Sequence, residues 1–145
     1  MEELINKMKV VLASSFAFYL KAHNFHWNVE GVNFPQYHEF FGNLYEEVHG
    51  AIDKIAEEIR ALDAYAPGSL KRFSELSTIM DETSVPSAVI MCQRLAKDND
   101  SLLIDLELAY SEAERTKQLG LANFLQDRID VHKKHGWMLR AIQKG

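Results

Sequence analysis

Residues 34–62 read FPQYHEFFGNLYEEVHGAIDKIAEEIRAL, and this stretch decides the fold class. Apolar side chains recur along it at every third or fourth residue, which places them on one face of an α-helix. Pro35 suits the first turn of such a helix. The apolar stripe consists of Phe41, Leu44, Tyr45, Val48, Ile52, Ile55, Ile59 and Leu62. The pattern therefore predicts an amphipathic helix that begins at Phe34 or Pro35 and is stopped by Ala66-Pro67-Gly68-Ser69.

Three other long segments have the same periodicity. The first runs from Glu2 to about Asn28, and its predicted core positions are Leu4, Ile5, Met8, Val11, Leu12, Ser15, Phe16, Tyr19 and Leu20. Ser84-Val85-Pro86 opens a further long helix, and Gly120 separates it from the last one. Residues 70–85 form a connector between the second and third long helices, and SLKRFSEL at its start predicts a short helix.

No segment alternates convincingly between apolar and polar residues, as a β-strand would. The chain is therefore predicted to be all-α. One long connection between the second and third helices favours a ferritin-like four-helix bundle, with a long crossover that contains the short extra helix. A plain up-down bundle is the alternative. We expect one domain over residues 1–145.

Composition excludes several classes of protein. The formal net charge of −5 argues against a generally basic, DNA-coating surface. A single cysteine, Cys92, rules out an intramolecular disulfide framework and a thiolate metal cluster. No apolar run is long enough to span a membrane. The N-terminal MEELINKMKVV does not have the pattern of a signal peptide, so the expected location is cytoplasmic.

The second helix also carries candidate metal ligands. Asp53 and Glu57 are separated by one helical turn, so their carboxylates lie on one face and together can offset the charge of a divalent cation. Counted from Val48 at about 100° per residue, they lie near 140° and 180°, outside the apolar stripe. A solvated acidic face is the alternative. Glu46 and His49 form an isolated E-x-x-H pair, which we interpret as coincidence because an intrabundle di-iron centre needs such motifs on several helices.

His38 lies 15 residues before Asp53, or about 22 Å along one helix. Metal–ligand bonds are about 2 Å long, so these two side chains cannot bind the same ion within one chain. If two copies of the helix packed antiparallel about a two-fold axis, each His38 would meet the carboxylates of the other copy, and two equivalent sites would result. The spacing is compatible with such a site but does not establish it.

Further elements of the sequence resemble one family. They are His26-Trp27, Asn33-Phe34, His38-Glu39, Leu44-Tyr45, Asp53, Ala56-Glu57 and the late segment His135-Gly136-Trp137-Met138-Leu139. With their spacing, they resemble the Dps family of dodecameric mini-ferritins over nearly the whole chain. The resemblance implies that His26 and His38 of one subunit and Asp53 and Glu57 of its two-fold partner form a metal-binding ferroxidase site, with Trp27 beside it.

The resemblance also implies a function. The chain is expected to oxidise Fe(II) with hydrogen peroxide, or less efficiently with O₂, and to store ferric oxide in a hollow homo-oligomer, a dodecamer of two-fold dimers. Zinc is expected to bind the same ligands, because divalent affinities generally favour zinc over Fe(II). The alternatives are a DNA-binding nucleoid-protection protein, for which the chain lacks a basic tail, and an assembly scaffold with a degenerate site.

One glycine and several histidines fall outside this ligand set. Many family members carry an acidic residue four positions after the second histidine, where this chain has Gly42, so one metal position could be weakened. His49, one turn before Asp53, is a candidate to compensate. His132 and His135 share a helix face; without a nearby carboxylate they are interpreted as hydrogen-bonded core or interface residues, and His23 as a surface or interface residue.

Overall fold

The computed structural model describes residues 1–144, and its ordered elements over that range are five α-helices. They are α1 Glu2–Asn28, α2 Phe34–Ala61, α3 Leu70–Leu76, α4 Ala88–Arg115 and α5 Leu119–Ala141. α1 packs against both α2 and α4, α5 packs against α4, and the short α3 lies against α1. This arrangement confirms the predicted four-helix bundle with an extra short helix in the crossover. None of the described helices has the length and apolar character needed to cross a membrane.

Two helix boundaries differ from the prediction. The third long helix begins at Ala88, after the predicted Ser84-Val85-Pro86, because Ser87 caps it: the Ser87 hydroxyl oxygen accepts the Ile90 N–H at 3.4 Å. The last helix begins at Leu119, so Gly120 lies inside its first turn and is not the break. The chain reverses instead at Lys117, which adopts a left-handed φ of 58°.

The buried face of α1 also differs from the predicted stripe. Phe18, Ala22 and Phe25 are completely buried, whereas Leu20 is 36% exposed and Tyr19 is only partly buried. The reason is that α1 packs on two long helices at once, so its core face is wider than one stripe and extends to its C-terminal end. Phe16 lies at the edge of this face, where its ring stacks on Phe73 of α3 at 4.7 Å.

The crossover is fixed to the bundle by polar contacts. The Thr78 hydroxyl donates to the Asp105 carboxylate at 2.6 Å, and the Thr78 N–H donates to the Ser14 hydroxyl at 3.0 Å. Asp105 is buried, and this desolvation raises the pKa of its carboxyl group. The segment after α3 is thereby tied to α1 and α4, and it delivers the chain to the start of α4.

A second polar network joins α2, α4 and α5. Arg128, which is buried, donates from its two terminal guanidinium nitrogens to the Glu47 carboxylate, at 2.6 and 3.1 Å. His135 donates its Nε2–H to the same carboxylate at 2.7 Å. Behind them, His132 accepts from Arg128 at 3.1 Å and donates its Nδ1–H to Asn99 at 2.8 Å. Every ionisable or polar group in the network therefore has a partner.

The network shifts the ionisation of its members. Burial alone would raise the pKa of Glu47, but the hydrogen bonds from His135 and Arg128 outweigh it and lower the pKa to about 2. Burial, followed by the charge of Arg128, lowers the pKa of His132 well below its ordinary value. At neutral pH, Glu47 is therefore ionised and His132 is neutral.

Glu47→Gln is expected to lower the free energy of unfolding at pH 7 by about 1–3 kcal/mol, because it leaves the buried Arg128 without its counter-charge while Glu47 itself is only partly buried. The pKa of Glu47 is about 2 in the folded chain and 4.5 ordinarily, so its stabilisation is complete above pH 4.5 and is lost as the pH falls toward 2. Urea unfolding of both proteins across this range measures the effect.

The matched control is Glu46→Gln, which removes an exposed carboxylate from the adjacent position. This variant should unfold with the pH dependence of the wild type. Equal stability of Glu47→Gln and Glu46→Gln at pH 7 would show that the network does not stabilise the fold.

Candidate functional site

His26 and His38 are joined by two reciprocal hydrogen bonds. Nδ1 of His26 lies 2.7 Å from the main-chain oxygen of His38, and Nδ1 of His38 lies 2.7 Å from the main-chain oxygen of His26. A carbonyl oxygen only accepts, so each Nδ1 carries a proton, and the neutral tautomer that this hydrogen bond selects has its lone pair on Nε2. The two rings are stacked, with centroids 3.8 Å apart. The pair thus places two Nε2 atoms side by side and leaves the proton of each ring on Nδ1 in its neutral form.

A short turn brings these histidines together. His26 lies in the last turn of α1, and His38 lies in the second turn of α2. Gly31, with φ of 99°, and Asn33, with φ of 65°, reverse the chain between them, and such left-handed conformations suit glycine and asparagine. Val29 is buried beneath the turn and anchors it to the core.

A row of aromatic rings and imidazoles continues along the surface between α1 and α2; we call Tyr19, His23, Tyr45 and His49 the aromatic row. The His23 ring stacks on Tyr45 at 3.8 Å and contacts Trp27 at 3.9 Å. Tyr19 shares a hydrogen bond of 3.1 Å with His23 and lies 4.6 Å from the His49 ring. Burial, then the charges of His26 and His49, lower the pKa of His23. His23 is therefore half-buried within this row in the single chain.

Gly42 is buried directly against His26. A Cβ atom at this position would lie 3.0 Å from Nδ1 and 3.1 Å from Cε1 of the His26 ring. A side chain here would be in tight contact with the imidazole, so the ring would have to give way slightly. The glycine therefore lets α2 approach the His26 ring closely. Sequence reasoning noticed Gly42 only as a missing carboxylate, because the close approach depends on how α1 packs on α2.

Asp53 and Glu57 are exposed on the face of α2 that points away from the core, as their helical positions predicted. They lie about 22 Å or more along the helix axis from His38. Within residues 1–144, no group of three or more histidine, cysteine, aspartate or glutamate side chains is close enough to hold one metal ion. One chain therefore brings His26 and His38 together but keeps them apart from the two carboxylates.

Both histidines of α5 are hydrogen-bonded, as expected, but the premise that no carboxylate lies near them was wrong. His132 is a buried, hydrogen-bonded core residue as expected. However, a carboxylate does lie nearby, since Glu47 of α2 accepts a hydrogen bond from His135. The available signal was Arg128, one turn before His132 on the inward face of α5, because a buried guanidinium requires an acidic partner. Both oxygen atoms of this carboxylate accept hydrogen bonds from Arg128 and His135.

Comparison with known proteins identifies relatives over nearly the full chain. The family model of the ferritin-like domain matches residues 5–144. A DNA protection during starvation protein of Brevibacillus brevis is 35% identical over 132 residues, which cover 90% of this chain and 88% of the relative.

Solved structures show the same relationship. A Dps crystal structure from Staphylococcus aureus superimposes with a TM-score of 0.95 at 27% identity and covers 100% of this chain and 97% of its own. A DPS protein from Vibrio cholerae O1 superimposes with a TM-score of 0.94 at 27% identity, and the match covers 99% of this chain and 90% of its own. It is described as a member of a broad superfamily of ferritin-like diiron-carboxylate proteins. The chain therefore belongs to the Dps family of ferritin-like proteins.

Proposed function

We propose that this protein oxidises and stores iron, with Fe(II) as its substrate, at sites shared between two subunits. In each site, His26 and His38 come from one subunit, and Asp53 and Glu57 come from the two-fold partner. The observation that carries the proposal is the pair of reciprocal hydrogen bonds between the two histidines, which leaves both Nε2 lone pairs side by side. Such a hydrogen bond from the second ring nitrogen is typical of metal-ligating histidine.

The chemistry of this donor set suits iron. Two imidazoles with carboxylates and open positions are characteristic of non-haem Fe(II) sites. The hydrogen bonds to Nδ1 make each imidazole a better donor and hold its ring in place. Asp53 and Glu57 supply hard, anionic oxygen atoms, which stabilise the more highly charged Fe(III) more than Fe(II). The residues of the site thereby favour loss of an electron from the bound substrate.

Antiparallel packing of two α2 helices would bring the halves of the site together. The carboxylates are exposed on the face of α2 opposite the apolar stripe, so they are free to meet another chain. The separation of about 22 Å between His38 and Asp53 on one helix then becomes the separation between two equivalent sites. The proposed assembly is a homo-oligomer built from such dimers, and the family resemblance gives its size as a dodecamer.

The proposed reaction uses hydrogen peroxide in preference to O₂, as the resemblance implies. Each peroxide molecule accepts one electron from each of two Fe(II) ions and, with two protons, leaves as two water molecules. The oxidised iron hydrolyses and is stored as ferric oxide in the hollow shell. Zinc is proposed as a competitor for the same ligands, because its affinity for nitrogen and oxygen donors generally exceeds that of Fe(II). Such a protein functions in the cytoplasm under oxidative stress.

DNA binding is the alternative function, and the name of the Brevibacillus brevis relative refers to DNA protection. The net charge of −5 counts against it, since binding to the phosphate backbone requires an excess of lysine and arginine on the contacting surface. We therefore place iron oxidation first and treat any DNA protection as a secondary role.

The native protein is expected to elute from a gel-filtration column as a large assembly, far above the 16.6 kDa of one chain. The reason is that the carboxylate half of each site is exposed in the isolated chain and requires a second copy. Light scattering coupled to the column gives the mass. A stable monomer at micromolar concentration and neutral pH would contradict the shared site.

His26→Ala and Asp53→Ala are each expected to lower the rate of Fe(II) oxidation by about tenfold or more, because loss of even an outer partner of a metal ligand costs that much. Neither residue is fully buried, so both variants should retain the helical content of the wild type. Oxidation is followed by absorbance of ferric species after addition of hydrogen peroxide without oxygen.

Asp100→Ala is the matched control, because it removes an exposed aspartate from the middle of another long helix. It should oxidise Fe(II) at the wild-type rate. A wild-type rate in either ligand variant would refute the assignment of that residue.

A further inference from the structure

His49 lies on the same face of α2 as the proposed ligands. Counted from Val48, His38 lies near 80°, His49 near 100°, Gly42 near 120° and Asp53 near 140°, so the four positions span about 60° of the helix. His49 is exposed. It precedes Asp53 by one helical turn, so the two residues are neighbours on one surface of the helix.

The register of the proposed dimer places His49 opposite Gly42. We take His38 to face the partner's Asp53 in an antiparallel pair of helices. Moving n residues toward the C-terminus of one helix then corresponds to moving n residues toward the N-terminus of the other. Gly42 follows His38 by four residues, and His49 precedes Asp53 by four residues. Gly42 therefore faces the partner's His49, and the same pairing occurs twice about the two-fold axis.

Because Gly42 has no side chain, it leaves room for a residue of the opposite helix. A Cβ atom at position 42 would lie only 3.0 Å from Nδ1 of His26. Glycine supplies no ligand at this point, so in this chain a ligand has to come from another residue. It can come from the opposite helix, and a residue that faces Gly42 lies close to the His26 imidazole.

We propose that His49 binds a second divalent cation at the shared site, together with Asp53 of its own chain and beside His26 of the partner subunit. This inference rests on the proposed function, because it takes the site as shared between two chains. The carboxylate of Asp53 has two oxygen atoms, so it would be able to contribute one to each of two neighbouring ions. One imidazole and carboxylate oxygens suit a borderline cation such as Fe(II), Zn(II) or Co(II).

The competing role of His49 is packing, since its ring lies 4.6 Å from the Tyr19 ring within the aromatic row. Packing and metal binding make different predictions for the number of ions bound. The two roles also predict different results for His49→Asp. An aspartate at this position could bind a cation but could not replace an aromatic contact.

The test is to load the metal-free assembly with zinc, remove weakly bound ions by gel filtration and measure zinc per chain by elemental mass spectrometry. Wild type is expected to retain two ions per chain, H49A one, and H49D two. Asn43→Ala, which changes another exposed residue of α2, is the control and should retain two. Circular dichroism and light scattering confirm that each variant is folded and assembled.

Two ions per chain in H49A would overturn the inference, as would one ion in H49D. If wild type retains one ion that H26A loses and H49A keeps, His49 is not a ligand and the shared site still stands. If wild type retains none, the shared site itself fails and the second ion fails with it. Zinc-soaked crystals give an independent check, because an anomalous peak should lie about 2.0–2.1 Å from a nitrogen of His49.

Discussion

Two hydrogen bonds of 2.7 Å join His26 to His38, and each runs from an imidazole Nδ1–H to the main-chain carbonyl of the other histidine. They tie the end of α1 to the start of α2, and they set the tautomer of both rings. Helix ends normally leave carbonyl groups without partners, and here the His26 carbonyl is satisfied by the side chain of the next helix. One local arrangement therefore closes a turn of the fold and, under the proposed function, prepares two nitrogen atoms for metal binding.

Helix α2 has two faces with different roles. Its apolar stripe, with Val48, Ile55 and Ile59 completely buried, forms part of the bundle core. The opposite face, which carries Asp53 and Glu57, is exposed and has no role in the core of its own chain. A metal site in the middle of the bundle is therefore excluded for these carboxylates. Under the proposed function, the chain compensates by using a second copy of itself, so assembly and catalysis depend on the same surface.

Local sequence rules were sufficient for most of the fold. The helical periodicity of residues 34–62, the prolines and the connector with its short helix correctly predicted the four-helix bundle with a crossover. Boundaries at Ala88 and Leu119 were missed by a few residues, because capping by Ser87 and the left-handed Lys117 decide them. Spacing on α2 also correctly placed Asp53 and Glu57 away from the core.

Long-range contacts were not predictable from these rules. Glu47 and His135 are 88 residues apart, so nothing local indicates that they share a hydrogen bond. The contact of Gly42 with the His26 ring likewise depends on how two helices pack. The ligand set itself came from a family resemblance, since spacing alone allowed a solvated acidic face.

Subunit mixing tests the shared site most directly. One variant lacks His26 and His38, a second lacks Asp53 and Glu57, and the two are dissociated, mixed and reassembled. Random pairing makes about half of the dimers mixed, and each mixed dimer contains one complete site and one without ligands, so roughly a quarter of sites should regain Fe(II) oxidation. Each variant reassembled alone should remain inactive. If mass spectrometry shows mixed dimers and no activity returns, the site is not shared between two subunits.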